Sequence, residues 1–128
     1  MTLSEACILI VDDEPLLRMT FKAVLERAGA TVREAAHGAE ALVVLRLGEV
    51  DLMVTDRMMP VLDGPGLLRA ALAEGIAVPA VCMGGLFAQE SSDDLVTLSV
   101  VRTLLKPFPP GELLQVLTEA LASLPPRR

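Results

Sequence analysis

Residues 50–64 read VDLMVTDRMMPVLDG, and this stretch decides the fold. The apolar run Leu52-Met53-Val54 stops abruptly at Thr55-Asp56. A loop carrying Met59-Pro60 and Asp63-Gly64 follows, and then a helical pattern begins. The pattern is that of a buried strand whose last residue, Asp56, is held out at the carboxyl end. In open α/β sheets that edge is where ligands bind and chemistry occurs.

The same reading extends to both sides. Cys7–Val11 is a continuous branched apolar run, suited to a central strand buried on both faces, and it stops at Asp12-Asp13-Glu14. Pro15 fits a first helical position, where its missing N–H costs nothing. Leu17, Phe21, Val24, Leu25 and Ala28 recur at helical spacing, and Gly29 suits the cap. Residues 30–36 (ATVREAA) suit a polar edge strand, turned by His37-Gly38. Ala41, Leu42 and Leu45 mark a second helix ended by Gly48. The spacing predicts a third helix over 66–74, closed by Gly75, with Leu67, Leu68, Ala71 and Leu72 inward. A fourth strand covers 80–83 and breaks at Gly84-Gly85.

Residues 86–102 carry mixed signals. Ser91 and Asp94 are spaced as a capping box, whereas Leu95–Val101 is β-branched and suits strand as well as helix. Thr103-Leu104-Leu105 is a fifth strand, followed by Lys106-Pro107-Phe108. A last helix runs from about Pro110 to Leu124, with Leu113, Leu114, Leu117, Leu121 and Leu124 on its inner side. Five strands alternating with five helices imply an α/β fold with one parallel sheet covered on both faces.

Composition narrows the function. The 128 residues suit one domain, 1–128, with no output domain expected beside it, and 52% are apolar, which excludes a disordered chain. No apolar run reaches the roughly 18–20 residues that span a bilayer, and no basic, cleavable leader precedes Cys7, so no membrane partner and a cytoplasmic location are expected. A net charge of −6 disfavours nucleic acid as a partner. Cys7 and Cys82 sit in separate apolar runs and read as buried thiols. The lone His37 reads as a surface histidine in a polar turn.

Chemistry collects at one edge. Asp12, Asp13, Asp56, Gly84 and Lys106 all fall at carboxyl ends of strands. Taken singly, an acidic strand end is well explained by solvation and the helix dipole. Taken together, converging carboxylates need a counter-charge. A hard, oxygen-seeking cation answers that need, and Mg²⁺ fits because it binds through few carboxylates, waters and phosphate oxygens. Lys106 supplies a second positive group.

Asp12-Asp13, then Asp56 with Met59-Pro60 and Asp63-Gly64 behind it, then Lys106-Pro107-Phe108 resemble the receiver domain of bacterial two-component response regulators, of the CheY-like kind. The resemblance covers essentially the whole chain. It implies a flavodoxin-like (βα)5 fold with strand order 2-1-3-4-5. It implies that Asp56 is the phosphoacceptor, supplied by a phosphohistidine on a sensor histidine kinase or histidine phosphotransfer protein. It also implies that Asp12, Asp13, Asp56 and the Met58 backbone carbonyl serve the Mg²⁺, that Lys106 pairs with phosphoryl oxygens, and that the Lys106–Pro107 peptide bond is cis. Phosphoryl transfer to Asp56 gives an acyl phosphate, with Asp56 and Lys106 as the reactive pair.

Two positions depart from that pattern. The family has Thr or Ser where Gly84 stands, and Tyr or Phe where Thr103 stands. The site for receiving phosphate is intact, while the usual switch residues are absent. The Gly84 and Gly85 N–H groups are then candidates to contact phosphate directly, with the readout depending on residues 86–102. Apolar Met58 and Leu86 beside the acceptor predict slow self-dephosphorylation. A downstream protein target and a homodimer through residues 86–105 are expected partners, with Leu95, Val96, Leu98 and Val100 as a candidate face. The competing reading is a phosphorylation-independent adaptor with a relic pocket. A flavin-binding role is weak because the chain places no aromatic to stack on a flavin, and a phosphatase role because it offers no separate general acid.

Overall fold

The computed structural model describes residues 1–84 and 99–126. A 3-10 turn, Leu3–Glu5, precedes β1 (Cys7–Val11), α1 (Pro15–Arg27), β2 (Thr31–Ala35), α2 (Gly38–Arg46), β3 (Leu52–Asp56), α3 (Gly64–Ala73) and β4 (Ala80–Gly84). Then come β5 (Val100–Leu105) and α4 (Pro110–Ala122). The strands form one sheet in the order β2-β1-β3-β4-β5, all neighbours parallel. The flavodoxin-like architecture expected from the sequence is therefore the one found. The helix expected between β4 and β5 lies outside the described residues, and with it Gly85, Leu86, the Ser91 and Asp94 capping box, Leu95, Val96 and Leu98.

Side chains alternate across the pleat and so divide the core in two. Ile8, Ile10, Leu52, Val54, Val81 and Met83 face α1 and α4, where they meet Phe21, Leu25, Leu113, Leu117 and Leu121. Leu9, Val11, Met53, Ala80 and Cys82 face α2 and α3, where they meet Ala41, Leu45, Leu67, Leu68 and Ala71. The three central strands are buried along their whole length, which is why they read as unbroken apolar runs. Cys7 and Cys82 are buried free thiols.

The helices begin and end by their own chemistry. Pro15 opens α1 at its N-terminal turn. Its end closes in a Schellman pair, with Gly29 N–H donating to Glu26 O at 2.9 Å and Ala30 N–H to Leu25 O at 3.1 Å. Ala28, the last of the residues at helical spacing, is exposed and stands at this cap. His37 is exposed as expected, but it also caps α2, its Nδ1 accepting from Glu40 N–H at 3.2 Å. The third helix starts at Gly64, two residues before the expected 66, because Asp63 Oδ1 accepts from Gly66 N–H at 2.7 Å and caps it there. The fifth strand begins at Val100, three residues before the expected start, with a register irregularity opposite Ala80/Val81.

Candidate functional site

The order 2-1-3-4-5 makes a crevice where connections from β1 and β3 leave to opposite sides of the sheet. Val11 pairs with Thr55, so the residues that follow, Asp12 and Asp56, emerge side by side at that crevice. Lys106, just past β5, reaches in from the far side. Its Nζ donates to Asp12 Oδ2 at 2.9 Å and to Asp56 Oδ2 at 3.1 Å. Oxygen atoms of Asp12, Asp13 and Asp56 lie within 4.8 Å of one another. Asp12 is fully buried and Asp56 is 6% exposed, whereas Asp13 is open to solvent.

Asp12 is held at every polar atom. Its N–H donates to Ala35 O at 3.2 Å. Its Oδ1 accepts from Glu14 N–H at 2.8 Å, and its carbonyl accepts from Arg18 Nη1 at 2.6 Å. Arg18 in turn pairs with Glu34 on β2, which also holds Lys22. No sequence motif marks Arg18. Its only sequence signal was a cation one turn into the helix that follows the acidic pair.

Asp56 is held more loosely. Met58 N–H lies 3.4 Å from its Oδ1. The loop that bears it is pinned by Arg57 N–H to Met83 O at 2.7 Å and Gly64 N–H to Arg57 O at 2.9 Å. The backbones pass so close that a Cβ on Gly64 would sit 2.7 Å from Asp56 O, which only glycine avoids. Farther along, Leu62 N–H donates to Pro60 O at 2.8 Å around Val61, whose φ is +70°. This is the strained form of the γ-turn.

The Lys106 loop is anchored too. Lys106 N–H donates to Gly84 O at 3.2 Å, and the Lys106–Pro107 bond is cis, as the resemblance implied. Phe108 stacks on Phe21 of α1, centroids 5.5 Å apart. Burial pushes the Asp56 carboxyl above the usual carboxylate range; the bond and charge of Lys106 oppose this, and the Asp12 charge adds to it. Burial alone would lower the Lys106 amine, but its bonds and charge pairing with Asp12 and Asp56 outweigh that and raise it.

Asp12, Asp13, Asp56, Gly84 and Lys106 thus converge as predicted. Met58 brings its N–H to the site and sends its side chain into solvent. Gly84 ends β4 with φ +141°, a conformation L side chains rarely adopt, and a Cβ there would lie 3.5 Å from Asp56 Oδ1. Thr103 stays out of the pocket, exposed on β5 and paired with Cys82.

Three clustered carboxylates offer hard oxygen donors and excess negative charge, which fits Mg²⁺ better than a soft metal. No described helix is long and apolar enough to cross a membrane.

Comparison with known proteins agrees. Residues 8–118 match the response regulator receiver domain family. The chain is 35% identical over 118 residues to the sensor kinase CckA of Brucella abortus, covering 91% of this chain but only 12% of that protein. It is 32% identical to an uncharacterized 14.6 kDa protein of Leptolyngbya boryana, covering 98% of this chain and 97% of that one. Among solved structures, a CheY-like response regulator receiver domain protein from Methanospirillum hungatei superposes with a TM-score of 0.83 at 26% identity, over 92% of this chain and 95% of the other.

Proposed function

Because the chain belongs to the response regulator receiver domains of two-component systems, we propose that it carries a signal as a phosphoryl group on Asp56. The donor is a phosphohistidine on a sensor histidine kinase or a histidine phosphotransfer protein in the cytoplasm. An Asp56 carboxylate oxygen attacks phosphorus in line, the histidine N–P bond breaks, and an O–P bond forms. The imidazole leaves with the N–P electron pair and takes a proton from solvent. The phosphorylated chain then contacts a downstream protein or relays the group onward.

One observation carries this reading: Lys106 Nζ bridges Asp12 and Asp56 inside a cluster of three acids. Asp12, Asp13, Asp56 and the Met58 carbonyl would hold Mg²⁺. Bound there, the ion would neutralise charge on the phosphoryl oxygens. Asp56 supplies the nucleophile, and Lys106 holds it in place and offers a cation to the incoming group. Arg18 fixes Asp12 through its carbonyl. The apolar Met58 beside the acceptor offers no group to activate water, which favours slow self-dephosphorylation.

Intact-mass measurement after mixing the protein with acetyl phosphate and Mg²⁺ tests the reading. The expected result is one added phosphoryl group, absent without Mg²⁺ and absent in Asp56→Asn. A protein that stays unmodified yet binds its partners equally well would instead be a phosphorylation-independent adaptor.

A further inference from the structure

Arg18 closes a ring of hydrogen bonds around the acidic pair. Asp12 Oδ1 accepts from Glu14 N–H at 2.8 Å. Glu14 O accepts from Arg18 N–H at 3.1 Å, at the start of α1. The Arg18 side chain then returns to the beginning, its Nη1 donating to Asp12 O at 2.6 Å. Its Nε donates to Glu34 Oε1 at 3.3 Å, which ties the same guanidinium to β2. One planar group thus spans the loop and the edge strand, as a fork that an ammonium does not offer.

Asp13 stands inside this ring. Among the described residues its exposed carboxylate takes no hydrogen bond or ion pair. Its place is therefore set by the backbone on either side. The Asp12 carbonyl belongs to the peptide group that leads into Asp13, and a planar peptide turns as one unit. Holding the Asp12 oxygen holds the Asp13 nitrogen, and with it the direction in which Asp13 leaves. Lys22 is a neighbour of the same charge without that reach. Its Nζ lies 3.1 Å from Glu34 Oε2, the other oxygen of the carboxylate that holds Arg18, and among the described residues it does not bond Asp12.

We propose that Arg18 is a positioning residue for the divalent cation. Its fork, anchored on Glu34, sets the Asp12–Asp13 peptide so that the Asp13 carboxylate meets those of Asp12 and Asp56. This rests on the three acids holding Mg²⁺. Charge and geometry then predict opposite signs. Arg18 is a cation near three acids, so its removal favours Mg²⁺ by charge alone. Its loss as a positioning group weakens Mg²⁺.

Mg²⁺ affinity, measured by calorimetry at a temperature where circular dichroism shows each variant folded, separates the two. Arg18→Met is expected to bind Mg²⁺ roughly tenfold more weakly, the low end for losing a group that orients a metal ligand. Lys22→Met makes the same change in charge beside the same Glu34, and its affinity should be unchanged or tighter. Arg18→Lys keeps the charge and loses the fork, and should fall between wild type and Arg18→Met. Arg18→Met that binds Mg²⁺ as tightly as wild type, or more tightly, overturns the proposal. So does an equal loss in Lys22→Met, which would mark a general disturbance of the Glu34 cluster. Should Arg18→Met not fold, Arg18→Lys decides, and an affinity equal to wild type overturns the proposal. Wild-type protein that binds no Mg²⁺ overturns the metal reading of the three acids and this proposal with it.

Discussion

Lys106 Nζ lies 3.1 Å from Asp56 Oδ2, and the same amine holds the fully buried Asp12 at 2.9 Å. One partly buried cation thus balances acids contributed by two different strands. Lys106→Met would leave both carboxylates in the pocket without it. The expected loss of stability at neutral pH is roughly 1–3 kcal/mol, in the range for removing charged hydrogen bonds. Acid should shrink the deficit, because Asp56, whose pKa is raised chiefly by burial, no longer needs a cation once protonated. Millimolar Mg²⁺ should shrink it too, by replacing the missing charge. Urea melts at neutral pH, at low pH and with added Mg²⁺ check all three; a deficit indifferent to pH and Mg²⁺ would show that Lys106 contributes only packing.

Asp56 is expected to work against folding at neutral pH. Its folded pKa is raised, chiefly by burial. The folded state therefore binds more protons than the unfolded chain between the ordinary carboxylate value, about 3.9, and the raised folded value. Stability falls as pH climbs through that window, and the whole cost is present above it. Asp56→Asn removes the charge while leaving an oxygen for Lys106. The variant should melt higher than wild type at pH 7, and the gap should close as pH drops below the carboxylate range. Mg²⁺ should reverse the order, since a ligand at 100 times its Kd adds about 2.7 kcal/mol to the protein that binds it. Thermal melts across pH, with and without Mg²⁺, measure this directly.

Asp56 and Lys106 are legible in the sequence because each stands where a strand pattern stops, and chain order alone brings such ends to one edge. Arg18 is not. It sits among polar helix residues, and only the tertiary fold shows that its guanidinium meets the Asp12 carbonyl and Glu34. The Phe21–Phe108 stack joins residues far apart in sequence and left no local signal. The start of α3 was misplaced for a local reason: Gly64-Pro65-Gly66 has poor helix propensity, yet the Asp63 cap and the tight approach to Asp56 O fix the helix there. In β5, Val100 and Val101 carried branched side chains that suited either structure, and pairing with β4 decided for strand.

Gly84→Thr is expected to destabilise the protein rather than supply a useful hydroxyl. The residue has φ +141°, and its Cβ would press on Arg57 at 3.2 Å. Forcing a β-branched residue into such a backbone costs on the order of 1–3 kcal/mol. Gly84→Ala should lose a similar amount, because the strain lies in the backbone and not in the hydroxyl. Denaturant melts of both variants check the size of the loss. Phosphorylation by acetyl phosphate should be no faster in Gly84→Thr. A threonine variant as stable as wild type, and faster, would mean that β4 ends in a conformation open to side chains.

Val61 is the place where stability should be gained. It is fully exposed, with φ +70°, at the centre of the turn closed by Leu62 N–H and Pro60 O. A β-branched residue is among the worst for that backbone, and at full exposure its side chain gains nothing from burial to offset the strain. Asparagine tolerates a positive φ better than a β-branched residue does and keeps the unfolded chain less free than glycine does. Val61→Asn is therefore expected to raise stability by about 0.5–1.5 kcal/mol, within the range for relieving one strained backbone position, and Val61→Gly by less. Val43 provides the contrast: it is also exposed but lies within α2, so Val43→Asn should bring no such gain. Chemical denaturation of the three variants tests the argument. If Val61→Asn gains no more than Val43→Asn, the turn is not strained, and the loop beside Asp56 holds its shape without stored energy.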